Sequence, residues 1–231
     1  VASELDLYAK AEHLLGIDES TAFLHESYAQ TVEAYGVKNV LDIGCGRGGL
    51  IEELTKRGIK ARGIDPSPLM VKEAEAKGLD VECKDICEVE GEYDAAVAVF
   101  DVLNFMDEAA LERFLGCVAT VLKPEGLFIA DINTLHGFAD VAEGTMNAED
   151  ERHFLSVDAV FDEPELRTIF TLFTKREDGS YDKEQDMITQ HFHPLKFFRK
   201  KRALKLIKNE NISLYDTNDK MLLVFKKGAE C

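Results

Sequence analysis

The chain has 231 residues, enough for one well-cored α/β domain with a small insertion. Hydrophobic residues make up 45% and charged residues 31%, an ordinary globular balance, and no apolar run approaches the ~18 residues that a membrane-crossing helix needs. Asp and Glu number 44 against 27 Lys and Arg, and a formal charge of −17 repels phosphate backbones and disfavours a nucleic-acid partner.

Residues 1–36 read as helical, with Leu14, Leu15, Phe23, Leu24 and Val32 as apolar positions. Their first part mixes Glu4, Asp6, Lys10, Glu12 and His13 among apolar residues and does not read as a secretory leader. Strands and helices then alternate. Val40 to Ile43 is a short apolar strand ending in glycines, and Leu50, Ile51 and Leu54 give the next segment a helical stripe closed by Gly58. Ala61 to Ile64 is a second strand. Ser67 is a natural N-cap with Pro68 at the first helical position, and Gly78 ends that helix. Leu79 to Cys83 is a third strand. Tyr93 to Phe100 is a fourth, apolar enough to be buried on both faces. Asp107 caps a helix carrying Leu111, Phe114, Leu115, Val118 and Leu122, and Gly126 to Ile132 is a fifth strand.

After about residue 150 the pattern changes. Phe154 to Phe161, Glu165 to Lys175 and Lys183 to His193 read as longer, more polar strands, with a turn at Glu177 to Ser180. Pro194 opens a basic helix expected to run to about Lys208, through Lys196, Arg199, Lys200, Lys201, Arg202 and Lys205. Final strands are expected at Ile212 to Tyr215 and Met221 to Phe225. The five cysteines, Cys45, Cys83, Cys87, Cys117 and Cys231, are odd in number and irregular in spacing, and are expected to be reduced thiols of a cytoplasmic protein.

The most specific string is Asp42-Ile43-Gly44-Cys45-Gly46-Arg47-Gly48-Gly49. Glycines here let a strand-to-helix turn approach a ligand with no Cβ in the way, and helix N-terminal amides face it. The string satisfies both Gly-x-Gly-x-Gly and the dinucleotide pattern Gly-x-Gly-x-x-Gly. Asp65, ending the second strand before Pro66 and Ser67, suits the ribose diol of either an adenosyl or a nicotinamide cofactor. Cys83-Lys84-Asp85-Ile86 then places another acid just after the third strand.

With these segments, with Tyr93-Asp94 and with Leu122-Lys123-Pro124-Glu125-Gly126, the stretch 40–132 resembles the class I S-adenosylmethionine-dependent methyltransferases, and among them the small-molecule members. The resemblance implies S-adenosylmethionine as cofactor and S-adenosylhomocysteine as product. It implies that Gly44 and Gly46, with Cys45 between them, lie under the methionyl and ribose parts. Asp42 would hold the methionyl amine, Asp65 the ribose diol beside Pro66, and Asp85 the adenine amino group, with Ile86 against the base. Phe100 would lie near the reacting methyl. Tyr8 matches a tyrosine that closes over the cofactor in some members, or simply packs its helix. Catalytic candidates are Asp101, Asn104 and His191, with Asp131, Asn133, His136 and His193 nearby, and no metal is expected.

The fold expected is therefore α/β, a doubly wound, seven-stranded, mostly parallel sheet with a small inserted antiparallel subdomain. The expected units are an N-terminal helical cap at 1–36, a cofactor-binding core at 37–150, an inserted β lid over the substrate at 151–193, and a helix with a β-hairpin at 194–231 completing the core sheet. The lid's phenylalanines, Phe154, Phe161, Phe170, Phe173 and Phe192, either line a substrate site or pack a small core. The expected reaction is methyl transfer to nitrogen or oxygen of a small molecule by a monomer or homodimer. A nicotinamide-dependent oxidoreductase and a non-catalytic cofactor-binding scaffold are the alternatives.

Overall fold

The structure, a computed structural model, describes residues 4–200 and 203–228. Two helices come first: α1 (Glu4–Ala11), then, after a 3-10 turn at Glu12–Leu14, α2 (Asp18–Ala34). Leu24, Tyr28 and Val32 recur every four residues and bury one face of α2. The alternating part follows as β1 (Asn39–Ile43), α3 (Gly49–Lys56), β2 (Lys60–Ile64), α4 (Pro68–Ala76), β3 (Val81–Glu82), β4 (Tyr93–Ala98), α5 (Glu108–Val121) and β5 (Leu122–Asn133). The expected caps form: the Ser67 side chain accepts from Met70 N–H at 3.3 Å, and the Asp107 carboxylate from Ala110 N–H at 2.8 Å.

After a π-helical turn at Gly137–Ala142 the chain builds β6 (Gly144–Glu149), β7 (His153–Asp162), β8 (Glu165–Lys175) and β9 (Tyr181–His191), an antiparallel four-stranded sheet. It returns through α6 (Leu195–Phe198) to β10 (Leu204–Ile212) and β11 (Lys220–Lys227). The main sheet has the order β10-β11-β5-β4-β1-β2-β3, parallel except for β11 against β5 and β10 against β11. This is the seven-stranded Rossmann-like sheet with an inserted subdomain that the sequence leads one to expect.

Period-two alternation divides the core. Val40 belongs to one cluster, with Leu24, Tyr28, Leu50, Ile51 and Val71, whereas Leu41 and Ile43 belong to the other, with Leu111, Phe114, Leu115 and Val118. The chain runs outward from β1 to β3, then restarts on the other side at β4. The crevice between the loops leaving β1 and β4 is the place where ligands bind in such sheets.

Three expectations are corrected. The basic helix ends at Phe198, and Leu204 onward is strand; Lys201 and Arg202 lie outside the described residues. Lys and Leu alternate from Leu204 to Leu206, and pairing of Leu206 with Phe225 and Lys208 with Val224 overrides the helical preference of the lysines. The strand expected at Ile212 to Tyr215 gives way to a turn, because Leu214 and Tyr215 donate their N–H groups to the Asp219 carboxylate at 2.7 and 3.1 Å. The cysteines are not all reduced: Cys87, in the turn after β3, is bonded to Cys117 on α5, while Cys45 and Cys83 are free and Cys231 lies outside the described residues. The inserted sheet also has one strand more than expected, β6, whose exposed polar sequence carries no clear alternation.

Candidate active site

β1 delivers Asp42 and then the glycine loop to the carboxyl edge of the sheet. Gly44 sits at φ +75°, and a Cβ there would come within 2.9 Å of Val102. Gly46 sits at φ +51°, and a Cβ there would meet nothing within 4 Å, so the loop presents bare backbone to open space. Gly44 and Cys45 donate their N–H groups to Ile64 O at 2.8 and 3.1 Å, which docks the loop on the end of β2. There the Asp65 carboxylate accepts Gly46 N–H at 2.9 Å and Ser67 N–H at 2.8 Å.

Both acids are buried, Asp42 to 2% and Asp65 to 7% exposure. Burial, reinforced by the neighbouring Asp65 charge, pushes the Asp42 carboxyl up to about 8. Burial also raises Asp65, against the two N–H groups that favour its charged form. Among the described residues no salt bridge reaches either one. Cys45 packs into the core on the α3 side, and its thiol is pushed far up by burial. Pro66 continues the strand end into α4. The structure thus brings together Asp42, Gly44, Cys45, Gly46, Asp65 and Pro66.

Asp85 stands on the next loop of the same edge. Its exposed carboxylate caps the turn Ile86–Glu88 by accepting Cys87 N–H at 2.8 Å, and Ile86 is buried among the residues on the α5 side. Tyr8 comes from α1. Its ring meets Phe170 of the inserted sheet edge-on at 5.9 Å, and burial pushes its hydroxyl up to about 12. It packs its helix in this structure. The other phenylalanines singled out in and beside the inserted sheet also pack: Phe161 and Phe192 against Phe138, and Phe154 against Phe173.

The loop after β4 is built differently. Phe100 and Asp101 are both left-handed, at φ +68° and +67°, a conformation costing roughly 1–2 kcal/mol per residue. Asp131, fully buried on β5, holds the corner by accepting Phe100 N–H at 2.8 Å, Asp101 N–H at 3.2 Å and Tyr28 O–H at 2.7 Å. Lys220, on β11, reaches in: its ammonium pairs with Asp101, lies 3.4 Å from Asp131 and donates to Asn133 Oδ1 at 3.0 Å. Burial pushes Asp131 up to about 6 and Lys220 down to about 7, while their mutual attraction favours both charges.

Asp101 and Asn104 are therefore committed to the framework. Asp101 also accepts from Asn133 Nδ2 at 3.0 Å; Asn104, fully buried, donates to His191 O at 2.8 Å and accepts Asn133 N–H at 3.0 Å. These bonds knit the ends of β4, β5 and β9. His191 is half-buried there, its ring 6.5 Å from that of His193. His193 is buried and its Nε2 donates to Met106 O at 2.9 Å. His136 sits apart, exposed between Asp140 and Asp216 at 2.9 and 3.1 Å.

Two contributors escape sequence reasoning. Lys220 reads as an ordinary edge lysine just past a turn, and only the β5–β11 pairing buries it. Arg47 reads as loop filler, yet its guanidinium pairs with Glu12 and Glu73 and donates to Ala9 O at 2.9 Å, clamping the N-terminal helices onto the glycine loop.

Comparison with known proteins agrees with this geometry. Residues 40–126 match the family model described as a methyltransferase domain. A protein named as a methyltransferase in Geobacillus sp. (strain WCH70) is 27% identical over 168 residues, 67% of this chain and 68% of that protein. The chain spans about half or less of the length of the other curated relatives it matches. An S-adenosylmethionine-dependent methyltransferase from Clostridium acetobutylicum ATCC 824 superposes with a TM-score of 0.75 at 20% identity, over 89% of this chain and 91% of that one. The sugar N-methyltransferase KedS8 from Streptoalloteichus sp. ATCC 53650 does so with a TM-score of 0.73 at 18% identity, over 89% and 87%. The matched family model spans the stretch that carries the glycine loop, Asp65 and Asp85, and the solved structures share this fold.

Proposed function

We propose that the protein transfers a methyl group from S-adenosylmethionine to a nitrogen or oxygen of a small molecule, by in-line displacement. The observation that carries this reading is the pair of buried carboxylates, Asp42 and Asp65, beside a glycine loop open at Gly46. A buried carboxylate pushed up to about 8 accepts a ligand ammonium, and Asp65 keeps lone pairs for a diol after its two N–H bonds. Those chemistries fit a methionyl amine and a ribose. Asp85 adds an exposed acceptor for an exocyclic amine.

When bound, the cofactor supplies a methyl already made electrophilic by its sulfonium. The chain's own task is to hold the nucleophile in line and exclude water, which is worth ~7–11 kcal/mol when geometry is right. The Phe100–Asp101 corner, fixed by Asp131 and Lys220, sets one wall of that space. With Asp101 and Asn104 engaged in the framework, His191 is the residue assigned to handle a departing substrate proton, where one has to leave. The inserted sheet is assigned the role of lid over the substrate.

A small substrate accords with the formal charge of −17 and with the sugar N-methyltransferase among the similar structures. Among the described residues no helix is long and apolar enough to cross a membrane. A cytoplasmic location belongs to the same proposal, and the Cys87–Cys117 bond is the observation that weighs against it. Calorimetric titration with S-adenosylhomocysteine, with NAD as control, tests the cofactor site. Micromolar binding of the former alone is expected; binding of NAD alone, or of neither by a folded sample, overturns the assignment. Binding without methylation of any compound in a metabolite extract would favour a scaffold.

A further inference from the structure

Away from the cofactor loops, three side chains from two distant parts of the chain converge at the surface. His13 lies in the 3-10 turn after α1. Asp150 and His153 form the tight connection between β6 and β7 of the inserted sheet. Asp150 Oδ2 lies 3.1 Å from His13 Nε2 and 2.9 Å from His153 Nδ1, and the two rings are 5.5 Å apart between centroids. One nitrogen of each imidazole and one carboxylate oxygen all fall within 4.8 Å of one another.

We infer that His13, Asp150 and His153 form a binding site for a divalent transition-metal ion of the zinc class, which staples the N-terminal helices to the inserted sheet. The ligand chemistry fits: two neutral imidazoles and one carboxylate are a common set for zinc, with a fourth position left to water. The spacing fits as well. Zinc bonds of ~2.0–2.1 Å in a tetrahedron put neighbouring donor atoms about 3.3 Å apart, close to the two Asp–His separations already present. An ion entering between the three groups would take the place of the shared imidazole protons, with ring rotation bringing the two nitrogens together.

The carboxylate is prepared for the role. Its other oxygen, Oδ1, accepts Arg152 N–H and His153 N–H, both at 2.7 Å, and lies 3.0 Å from His153 Nδ1, so the carboxylate is held in place with both oxygens on the histidine side. The side chains are 51%, 37% and 27% exposed, so an ion can enter from solvent. The site also lies on a seam that other contacts already follow. Lys10 pairs with Glu184 across it at 2.6 Å, Tyr8 packs on Phe170, and Glu12, next to His13, pairs with Arg47 of the glycine loop. An ion here fixes the N-terminal helices between the inserted sheet and the loop. None of this depends on the methyltransferase reading.

The test is titration of chelator-stripped full chain with Zn²⁺ in competition with a chromophoric chelator, at pH 7.5. It is run in a Cys83→Ser background, so that the exposed thiol does not compete. The expected result is one equivalent bound, a rise in melting temperature with Zn²⁺, and affinity at least ~10-fold weaker in His13→Ala and in His153→Ala. His136→Ala, which removes a histidine also lying between carboxylates, should leave both readouts unchanged. Binding and melting shifts that are the same in the parent and in the His13→Ala/His153→Ala double variant would overturn the site, as would an absence of saturable binding. All three positions are at the surface, and a circular dichroism spectrum matching the parent's confirms that each variant is folded.

Discussion

Two pairs of buried aspartates lie along the same sheet edge and are treated in opposite ways. Asp101, after β4, and Asp131, on β5, have a cation of the chain's own, since Lys220 is buried between them. Asp42, on β1, and Asp65, just after β2, are as deeply buried, yet among the described residues no salt bridge reaches them. Burying a charge without a partner is costly, and a protein retains such a group where something else supplies the partner. The first pair is finished by the fold and holds a strained corner. The second has no countercharge from the chain, and burial raises both of its carboxyls instead. Acidity alone does not distinguish the two pairs; the location of the countercharge does.

The comparison can be broken most forcefully at Lys220. Lys220→Met should cost about 3–5 kcal/mol of folding stability by chemical denaturation, because two buried carboxylates lose their cation. Adding Asp101→Asn should recover much of that loss. A cost under about 1 kcal/mol in the single variant would mean that the corner stands without the lysine. On the other side, Asp65→Ala should weaken S-adenosylhomocysteine binding by about 1.5–3 kcal/mol in calorimetry, with the fold intact, since a charged acceptor is lost. An unchanged affinity would remove Asp65 from the site.

The smallest effect per step is the most diagnostic. The Asp42 carboxyl titrates at about 8 in the unliganded protein, so it is protonated at neutral pH. A bound ammonium favours the carboxylate, and binding below pH 8 therefore releases a proton. Affinity for S-adenosylhomocysteine should fall about tenfold, or ~1.4 kcal/mol, for each unit of pH below 8 and level off above it. Asp42→Asn should flatten that profile between pH 6 and 8. A wild-type profile already flat would show that Asp42 faces no ligand cation.

The parallel core was legible because its signals are local. Glycines follow β1, Ser67 and Asp107 sit at helix starts, and apolar residues recur with the period of each element. The acids at the strand ends were legible for the same reason, since each lies near the carboxyl end of a recognisable strand. What depended on long-range pairing was hidden. Leu204 to Lys208 carries enough lysine to look like the end of a helix and becomes strand only because β11 is beside it. Asp101 and Asn104 looked like free catalytic groups because the chain does not announce that β5, β9 and β11 will engage them. The convergence of His13 with Asp150 and His153 needed two remote turns to meet, which no spacing rule foretells.

The bond between Cys87 and Cys117 closes a covalent ring around a vital stretch of chain. Inside that ring lie β4, the left-handed corner and most of α5. A single cut anywhere in the ring would separate the polypeptide into two pieces that remain tethered. Such damage would leave the protein's mass unchanged in a non-reducing gel and be revealed only by a thiol. The left-handed corner thus sits in the part of the molecule where backbone breakage alone cannot set the halves free.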